Sequence, residues 1–394
     1  MSVRFIHSAD WQLGKPFAGI ADPQKRHAVQ AERFAVLDRI AALAREKNAA
    51  FIIVAGDTFD SPTPTKTSVS QFCSAVGRME RPVYLIPGNH DHGGPGGIWS
   101  QPFFQKEAAS LAPNLHVLLD AKPVVAAGAV LWPCPLLRRH ETKDLSDWLR
   151  TPPALAEETQ SLPRIVIAHG TVLQFNGGGQ FTEEDEGGGT VNHLDLARLP
   201  VAEYDYIALG DWHGHLSINA RAWYAGTPEP DRFARGESNQ PGYTLLVEAS
   251  RSAPPLVEPI PTARLRWHEL SFTFREGIGL ASLHARLQEL IGDRTQADLL
   301  RLHIEGALSL AEHAQLTTLR ETLEARLLRL KETGSVAVAP TEEETLALTR
   351  RTGDPLTVHV ASQLVQQSND SDPAKADLAR SALRALHLAL RTFA

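Results

Sequence analysis

Five short apolar runs in the sequence each end in residues that can bind metal ions. The polar segments that follow these runs are Ser8-Ala9-Asp10-Trp11-Gln12, Gly56-Asp57-Thr58-Phe59-Asp60, Gly88-Asn89-His90-Asp91, His169-Gly170 and Gly210-Asp211-Trp212-His213-Gly214-His215. For the segment at residues 88–91 alone, a loop with a capping Asn and a surface His is an equally good interpretation. Five such endings are hard to explain by core packing. Oxygen and imidazole ligands without thiols suit Mn²⁺, Zn²⁺ or Fe.

The elements around these segments predict where the polar residues meet. Strand-like runs at 3–8, 51–55 and 83–86 alternate with helix-like patterns at 24–47 and 67–79. This alternation indicates a largely parallel sheet with helical crossovers. Open α/β sheets bind ligands at the carboxyl ends of their strands. We therefore expect the polar segments to share one crevice.

Composition and charge limit the classes of protein that remain. The chain has 394 residues, which favours two domains, and a net charge of −7. A nucleic acid would therefore have to meet a local basic face. Apolar runs are too short for a membrane span, and the first residues lack a signal-peptide layout. Cys73 and Cys134 are the two cysteines, which fits a cytoplasmic protein without a disulfide framework.

The early part of the predicted helix at 24–47 carries a basic cluster. It contains Lys25, Arg26, His27 and Arg33. These residues could contact a phosphate backbone, or they could form a solvated face of the helix.

The ordered set D-x-Q, G-D-x-x-D, G-N-H-D, H-G and G-D-x-H-G-H resembles the five motifs of the calcineurin-like metallophosphoesterases. The segments from His7 to Gly14 and from Tyr224 to Glu229 are similar to the SbcD-like DNA repair exonuclease branch. The resemblance implies an α+β or α/β fold, a four-layer β-sandwich flanked by helices. It also implies a small α/β capping domain and C-terminal helices. The expected domains are 1–274, 275–340 and 341–394.

The same resemblance implies a set of site residues and two divalent metal ions. Asp57 would bridge both ions, with Asp10, Gln12 and His213 on one and Asn89, His169 and Asp211 on the other. Such a pair lowers the pKa of a bridging water and supplies hydroxide for in-line attack on phosphorus. His90 would stabilise the phosphoryl oxygens or protonate the leaving group, and the Asp60 carboxylate would orient His90.

Two positions depart from the family pattern. Gln12 and Asp211 stand where the family usually has His. The two changes could compensate and shift the site towards oxygen ligation and so towards Mn²⁺, with Fe, Zn²⁺ or Mg²⁺ as alternatives. Alternatively, one metal position is weakened and activity is low. In the fifth motif we assign Asp211 and His213 as the metal ligands. His215 is an alternative ligand from the same motif.

The resemblance implies a two-metal phosphodiesterase, a DNA repair nuclease that works with an SMC-like ATPase subunit and could form a homodimer. A stand-alone phosphoesterase for small phosphodiesters or phosphomonoesters is an alternative, and so is a DNA-binding subunit with weak catalysis. The 120 residues after position 274 favour the nuclease, because a small substrate needs no separate capping module.

The later part of the chain has no catalytic motif. We expect 242–248 and 256–274 to close the second sheet of the core. Helices are predicted at 280–292, 309–332, 341–351 and 373–393, with a polar connector at 366–373. The last helix is apolar enough either to dock on the ATPase partner or to pack on this chain's own core. The Gly-rich acidic segment at 176–190 is predicted to be a mobile surface loop next to the site.

Overall fold

A computed structural model of the chain describes residues 2–173, 191–233, 239–251, 253–275 and 277–392. The chain divides into two compact units, Met1–Arg266 and Trp267–Ala394. The domain bounds expected at 1–274, 275–340 and 341–394 remain predictions. The loop predicted at 176–190 lies outside the described residues. Among the described helices, none is both long and apolar enough to cross a membrane.

The first unit contains fourteen described strands and three α-helices. The strands are β1 (Ser2–Ser8), β2 (Ile52–Ala55), β3 (Val83–Ile86), β4 (Leu115–Val117), β5 (Val124–Ala126), β6 (Ala129–Cys134), β7 (Arg164–His169), β8 (Thr171–Val172), β9 (His193–Leu194), β10 (Tyr206–Gly210), β11 (Leu216–Ser217), β12 (Ala222–Tyr224), β13 (Tyr243–Ser250) and β14 (Leu256–Pro261). The helices are α1 (Pro23–Glu46), α2 (Lys66–Gly77) and α3 (Pro102–Leu111).

Twelve of these strands form two six-stranded sheets. The order in the first sheet is β14-β13-β1-β2-β3-β4, and the order in the second is β11-β12-β10-β7-β6-β5. β1, β2, β3 and β4 run parallel to one another, as do β6, β7, β10 and β12. The mixed α/β architecture expected from the sequence is confirmed. β13 and β14 extend the first sheet, so the prediction that 242–248 and 256–274 close the second sheet is wrong.

The cores of the first unit explain why its central strands are apolar on both faces. One face of the first sheet packs on the three helices, through residues such as Ile52 and Val54. The other face packs on the second sheet, where Ile53 and Ala55 meet Ile167 and Ala208. A strand covered on both sides needs an unbroken apolar run, and every residue of β2 is buried.

Helix α1 begins where its sequence provides a start signal. Pro23 is the first helical residue, and its fixed φ suits that position. The side chain of Asp22 accepts hydrogen bonds from the main-chain N–H groups of Gln24 and Lys25, at 2.8 and 3.1 Å. These bonds satisfy donors that a helix start leaves without partners. These signals fix the residue at which α1 begins.

The second unit has its own sheet and its own core. Its strands are β15 (Arg266–Phe274), β16 (Asp298–Leu308), β17 (Arg329–Thr333) and β18 (Val336–Val338), and its helices are α4 (Leu280–Ile291), α5 (Leu310–Arg326), α6 (Glu342–Thr349), α7 (Pro355–Gln367) and α8 (Pro373–Thr392). β15 and β16 are neighbours in this sheet. The helix predicted at 309–332 is too long, because β17 begins at Arg329.

Helix α7 is missing from the sequence expectations. Its start carries ordinary signals, because Pro355 is the first helical residue and the Asp354 side chain accepts from the main-chain N–H of Thr357 at 3.1 Å. The last three helices pack around Leu348, Ala361 and Leu383, and these residues contact Leu310 of α5. The C-terminal helices therefore pack on this chain's own second unit, one of the two outcomes expected for them.

Candidate metal centre

The polar segments singled out in the sequence all follow the carboxyl ends of strands. β1, β2 and β3 of the first sheet lead to Asp10, Asp57 and Asn89, while β7 ends on His169 and β10 leads to Asp211. Ligand atoms of Asp10, Asp57 and His169 all lie within 4.8 Å of one another, and the three side chains are buried. The two sheets thus bring their ligands to a single edge of the sandwich.

Two glycines allow this close approach of the sheets. Gly56 has a φ of +88°, and a Cβ on it would lie 2.3 Å from Nδ1 of His169. A Cβ on Gly210 would lie 1.9 Å from the main-chain oxygen of Ala55. Any other residue at these positions would push the strand ends apart. The glycines of the G-D motifs are therefore steric requirements of the site.

Four of the proposed ligands have a left-handed backbone. The φ angles are 51° at Asp10, 47° at Gln12, 51° at Asp57 and 104° at Asp211. Non-glycine residues adopt this region only when the surrounding structure enforces it, and such residues cluster at functional sites. The main-chain N–H of Asp10 donates to Gly56 O at 3.1 Å, and that of Gln12 donates to Asp57 O at 3.0 Å. The first two motif loops thus hold each other in place.

Arg33 of α1 stabilises the loop after β1, which carries Asp10 and Gln12. Its side chain donates to the main-chain oxygens of Asp10 (3.2 Å), Gln12 (3.2 Å) and Glu229 (2.7 Å), and to Thr227 Oγ1 (3.1 Å). Only 1% of the residue is exposed. Arg33 therefore contacts neither solvent nor a phosphate backbone, so both expectations for it are wrong.

One half of the site is built around His169. Its Nδ1 donates to the main-chain oxygen of Ala55 at 2.9 Å, so its Nε2 faces the site. Nε2 lies 3.0 Å from Asn89 Oδ1, 3.5 Å from Asp57 Oδ1 and 3.8 Å from Asp211 Oδ1. Rotation of the Asn89 amide would bring its nitrogen within 3.2 Å of both Asp57 oxygens. In either orientation, four side chains surround one point.

The charges around this point call for a cation. Burial raises the pKa of Asp10 well above its usual range, and the nearby carboxylates of Asp57 and Asp211 raise it further. Burial alone would lower the pKa of His169, but the charges of Asp57, Asp10 and Asp211 raise it to about 9. Three carboxylates therefore meet one imidazole, and a bound cation would relieve their repulsion.

The other half contains Gln12 and Asp10. Gln12 Nε2 donates to Asp57 Oδ2 at 2.8 Å, and the main-chain N–H of Asp211 donates to both Asp10 oxygens at 3.1 and 3.2 Å. The Gln12 Oε1 atom is buried and has no hydrogen-bond partner among the described residues. A buried amide oxygen without a partner is costly unless a ligand satisfies it. A metal ion at this place would do so.

His213 is oriented by a carboxylate that the sequence reasoning did not identify. Its Nδ1 donates to Asp231 Oδ1 at 2.9 Å, which leaves the lone pair on Nε2. Burial and the charge of Arg232 lower the pKa of His213 to about 4, although Asp231 opposes this shift. His213 is therefore neutral near pH 7, as a metal ligand must be. The alternative candidate, His215, lies against Gln240 O at 3.0 Å and against the ring of Tyr243.

His90 is positioned differently from the expectation. Its Nδ1 lies 2.9 Å from the main-chain oxygen of Asp60, and its Nε2 lies 3.9 Å from Asp57 Oδ2. The Asp60 carboxylate instead binds Lys15 Nζ at 3.2 Å. Asp60 thus orients His90 through its backbone and not through its carboxylate. The reason is that the chain turns after Phe59 and presents the carbonyl to the ring.

Asp91 closes the G-N-H-D motif as a brace. Its Oδ1 accepts from the main-chain N–H of Gly88 at 2.7 Å, and its Oδ2 accepts from those of Thr58 and Phe59 at 2.9 and 3.1 Å. The side chain is fully buried. It ties the third motif loop to the second, which fixes Asn89 and His90 relative to Asp57.

The carboxylate, amide and imidazole groups of the site suit divalent cations. Comparison with known proteins indicates the same kind of site. The sequence model of the family described as calcineurin-like phosphoesterase matches residues 3–238. The chain belongs to this family. Its members bind divalent metals and hydrolyse phosphoester bonds, so the chain is a metal-dependent phosphoesterase. Asp10, Asp57 and His169 form a site that could hold such a metal.

A curated protein is similar in sequence to most of the chain. The chain is 24% identical over 342 residues to the D subunit of the nuclease SbcCD from Bacillus subtilis (strain 168), a match that covers 79% of this chain and 81% of that protein. A solved structure aligns with 66% of this chain and 99% of its own length, with a TM-score of 0.37 and 12% identity.

Three residues that serve the site were missed or misread from the sequence: Lys15, Arg33 and Asp231. Lys15 directly follows the segment from His7 to Gly14, and Asp231 lies two residues after the segment at 224–229. Position beside a motif was the available signal for both. Arg33 lies on a helix among other basic residues, and nothing in the helical pattern separates a buried Arg from exposed ones.

Proposed function

We propose that this chain is a nuclease that hydrolyses phosphodiester bonds in DNA and uses two divalent metal ions, with Mn²⁺ favoured. The convergence of Asp10, Asp57, Asn89, His169 and Asp211 at one sandwich edge carries this proposal. Carboxylates outnumber imidazoles there, which favours a metal that accepts oxygen ligands.

The two halves of the site would hold one ion each. Asp57 contacts both halves, since it accepts from Gln12 and lies beside His169. Asn89, His169 and Asp211 would complete one ion, and Asp10, Gln12 and His213 the other. When bound, the ions would neutralise the phosphate and activate water for attack.

His90 would act on the substrate without binding metal. Its main-chain N–H donates to Asp57 Oδ1 at 3.0 Å, which fixes the residue next to the metal cluster. About a third of its side chain is exposed, so Nε2 can reach a phosphate in the crevice. From there it could donate a proton to the leaving oxygen or a hydrogen bond to a phosphoryl oxygen.

We further propose an SMC-like ATPase as the partner subunit. The name of the Bacillus subtilis relative describes it as one subunit of a larger nuclease. The two cysteines, Cys73 and Cys134, are free and buried. This agrees with action on cellular DNA in the reducing cytoplasm.

The test compares three substrates with purified protein. Linear duplex DNA, single-stranded DNA and bis-p-nitrophenyl phosphate are incubated with Mn²⁺ and then with EDTA. We expect Mn²⁺-dependent cleavage of DNA that EDTA abolishes. Hydrolysis of the small ester without any cleavage of DNA would contradict the nuclease proposal.

A substitution of Asp57 tests the site itself. Asp57→Asn removes the charge shared by both halves, and we expect hydrolysis to fall to the EDTA background. Asp38→Asn is the matched control, because Asp38 is an exposed residue of α1 that pairs with Arg78. Wild-type turnover in Asp57→Asn would show that the reaction occurs elsewhere.

A further inference from the structure

Two cationic side chains stand at the rim of the metal centre. Lys15 Nζ binds Asp60 Oδ1 at 3.2 Å and Asp231 Oδ2 at 2.9 Å. Arg232 lies next to Asp231, with Nε 3.5 Å from Oδ1. Asp60 holds His90 through its main-chain oxygen, and Asp231 holds His213 through its carboxylate. Lys15 is therefore linked to His90 through Asp60, and Arg232 contacts His213 directly.

The Asp231 carboxylate anchors both cations. Its side chain is 1% exposed. It forms ion pairs with Lys15 at 2.9 Å and with Arg232 at 3.5 Å. A buried carboxylate with such partners fixes the positions of Lys15 and Arg232 before substrate arrives, and so lowers the entropy cost of using them.

Both cations are partly exposed. The side chains of Lys15 and Arg232 are 25% and 35% exposed. An ammonium group has three N–H donors, and Lys15 donates one hydrogen bond to Asp60 Oδ1, while its contact with Asp231 Oδ2 is an ion pair. One terminal nitrogen of Arg232 is 3.1 Å from both ring nitrogens of His213.

We propose that Lys15 and Arg232 form a subsite for the phosphate next to the scissile one. This inference rests on the proposed nuclease function and assigns its substrate class, a polynucleotide strand. A strand presents a phosphate at every nucleotide, whereas a simple phosphodiester has one. Because the whole chain carries a net charge of −7, neighbouring phosphates need local cations. Arg and Lys side chains are the usual phosphate ligands.

The test compares a substrate with neighbouring phosphates and one without. Lys15→Gln and Arg232→Gln are each assayed on a single-stranded oligonucleotide and on bis-p-nitrophenyl phosphate. We expect kcat/KM for the oligonucleotide to fall at least tenfold more than kcat/KM for the small ester. If the cations only position Asp60 and Asp231, both substrates lose activity in parallel, and that result would overturn the proposal.

A binding measurement keeps the subsite separate from the nuclease proposal. Fluorescence anisotropy of a phosphorothioate single strand is followed in Mn²⁺ over a range of salt. For each variant, the plot of log affinity against log salt should become shallower by about 0.7. Arg78→Gln is the control, because Arg78 is exposed at the carboxyl end of α2 and pairs with Asp38. Its affinity and slope should equal the wild type.

The outcomes divide clearly. A wild-type protein that cleaves only the small ester contradicts the nuclease function, while the binding slopes still test the subsite. Slopes of the Lys15 and Arg232 variants that match those of Arg78→Gln overturn the subsite even if DNA is cleaved. A wild-type protein that does not bind the strand overturns the subsite as well.

Discussion

At the scale of single residues, the site separates metal binding from acid–base work. Asp10, Asp57 and His169 are buried and lie close together, while His90 stands beside them with an exposed edge. The sequence predicted the groups around Asp57, because a polar residue after an apolar strand is a local pattern. It could not predict which atom of Asp60 meets His90, since that depends on how the chain turns after β2.

His90→Asn tests this separation. The imidazole is held by a main-chain oxygen and lies 3.9 Å from Asp57 Oδ2, so its loss should leave the metal ligands in place. We expect kcat for bis-p-nitrophenyl phosphate to fall by about 10²–10⁴, the usual contribution of acid–base assistance. Manganese content after desalting should equal the wild type. A protein that loses its metal would make His90 a ligand.

Metal binding should displace a proton from His169. Nearby carboxylates raise its pKa from 6.5 to about 9 against the effect of burial, so the ring is charged at pH 7.5 in the metal-free protein. A metal needs the Nε2 lone pair, and binding should release about one proton from this residue. Calorimetry with Mn²⁺ in buffers of different ionisation enthalpy measures this number.

The same shift fixes the direction of a pH effect on stability. A raised folded-state pKa means that charged His169 stabilises the metal-free protein fully below pH 6.5, and that this contribution disappears as pH rises through 9. Mn²⁺ affinity should increase over the same range.

A substitution tests whether His169 is the source of the released proton. On binding Mn²⁺, His169→Gln should release fewer protons than the wild type. An unchanged proton count would show that another group carries the proton.

At the scale of elements, loops of strained backbone are held by side chains from distant segments. Arg33 on α1 binds the loop after β1 and also the segment at 227–229. The Glu229 carboxylate in turn accepts from the main-chain N–H groups of Arg264 and Leu265, at 2.9 and 3.0 Å. Helix α1 was predictable from its pattern, but the contacts of Arg33 were not, because most of its partners are main-chain oxygens, which every residue has.

Removal of the Arg33 brace should weaken both the fold and the metal site. Arg33→Met leaves several buried carbonyl groups without donors, and we expect the free energy of unfolding to fall by about 3–5 kcal/mol. Arg33→Lys keeps one charge but fewer donors and should fall in between. Urea unfolding in EDTA and Mn²⁺ titration measure the two effects. The exposed control Arg78→Met should lose less than about 1 kcal/mol.

An intact Mn²⁺ affinity in Arg33→Met would contradict this account. It would mean that the left-handed backbone at Asp10 and Gln12 is maintained by the main-chain bonds between the first two loops alone. Loss of affinity in Arg33→Met, with partial recovery in Arg33→Lys, would show that the brace sets the ligand geometry.

At the scale of the whole molecule, the candidate metal centre lies in the first unit, and the helices and strands after Arg266 form the second unit. Each proposed ligand and the three cores of the sandwich lie within residues 2–266. The second unit has a core of its own, formed by residues of α4, α5 and its sheet. The sequence predicted a boundary after the motifs, at residue 274, and a further boundary at residue 340. The change of sheet at Arg266 was not visible, because alternating polar and apolar residues suit an edge of either sheet.

A chain that ends at Arg266 should therefore retain the phosphoesterase reaction. It keeps Arg264 and Leu265, whose main-chain N–H groups donate to the buried Glu229 carboxylate. It removes β16 together with all of β15 after Arg266. We expect a folded protein by circular dichroism, with Mn²⁺-dependent hydrolysis of bis-p-nitrophenyl phosphate at a kcat/KM within about threefold of the full chain, a difference of under about 1 kcal/mol in transition-state stabilisation. The same shortened chain with Asp57→Asn is the control for contaminating activity. A folded but inactive short chain would show that residues beyond 266 contribute to the site.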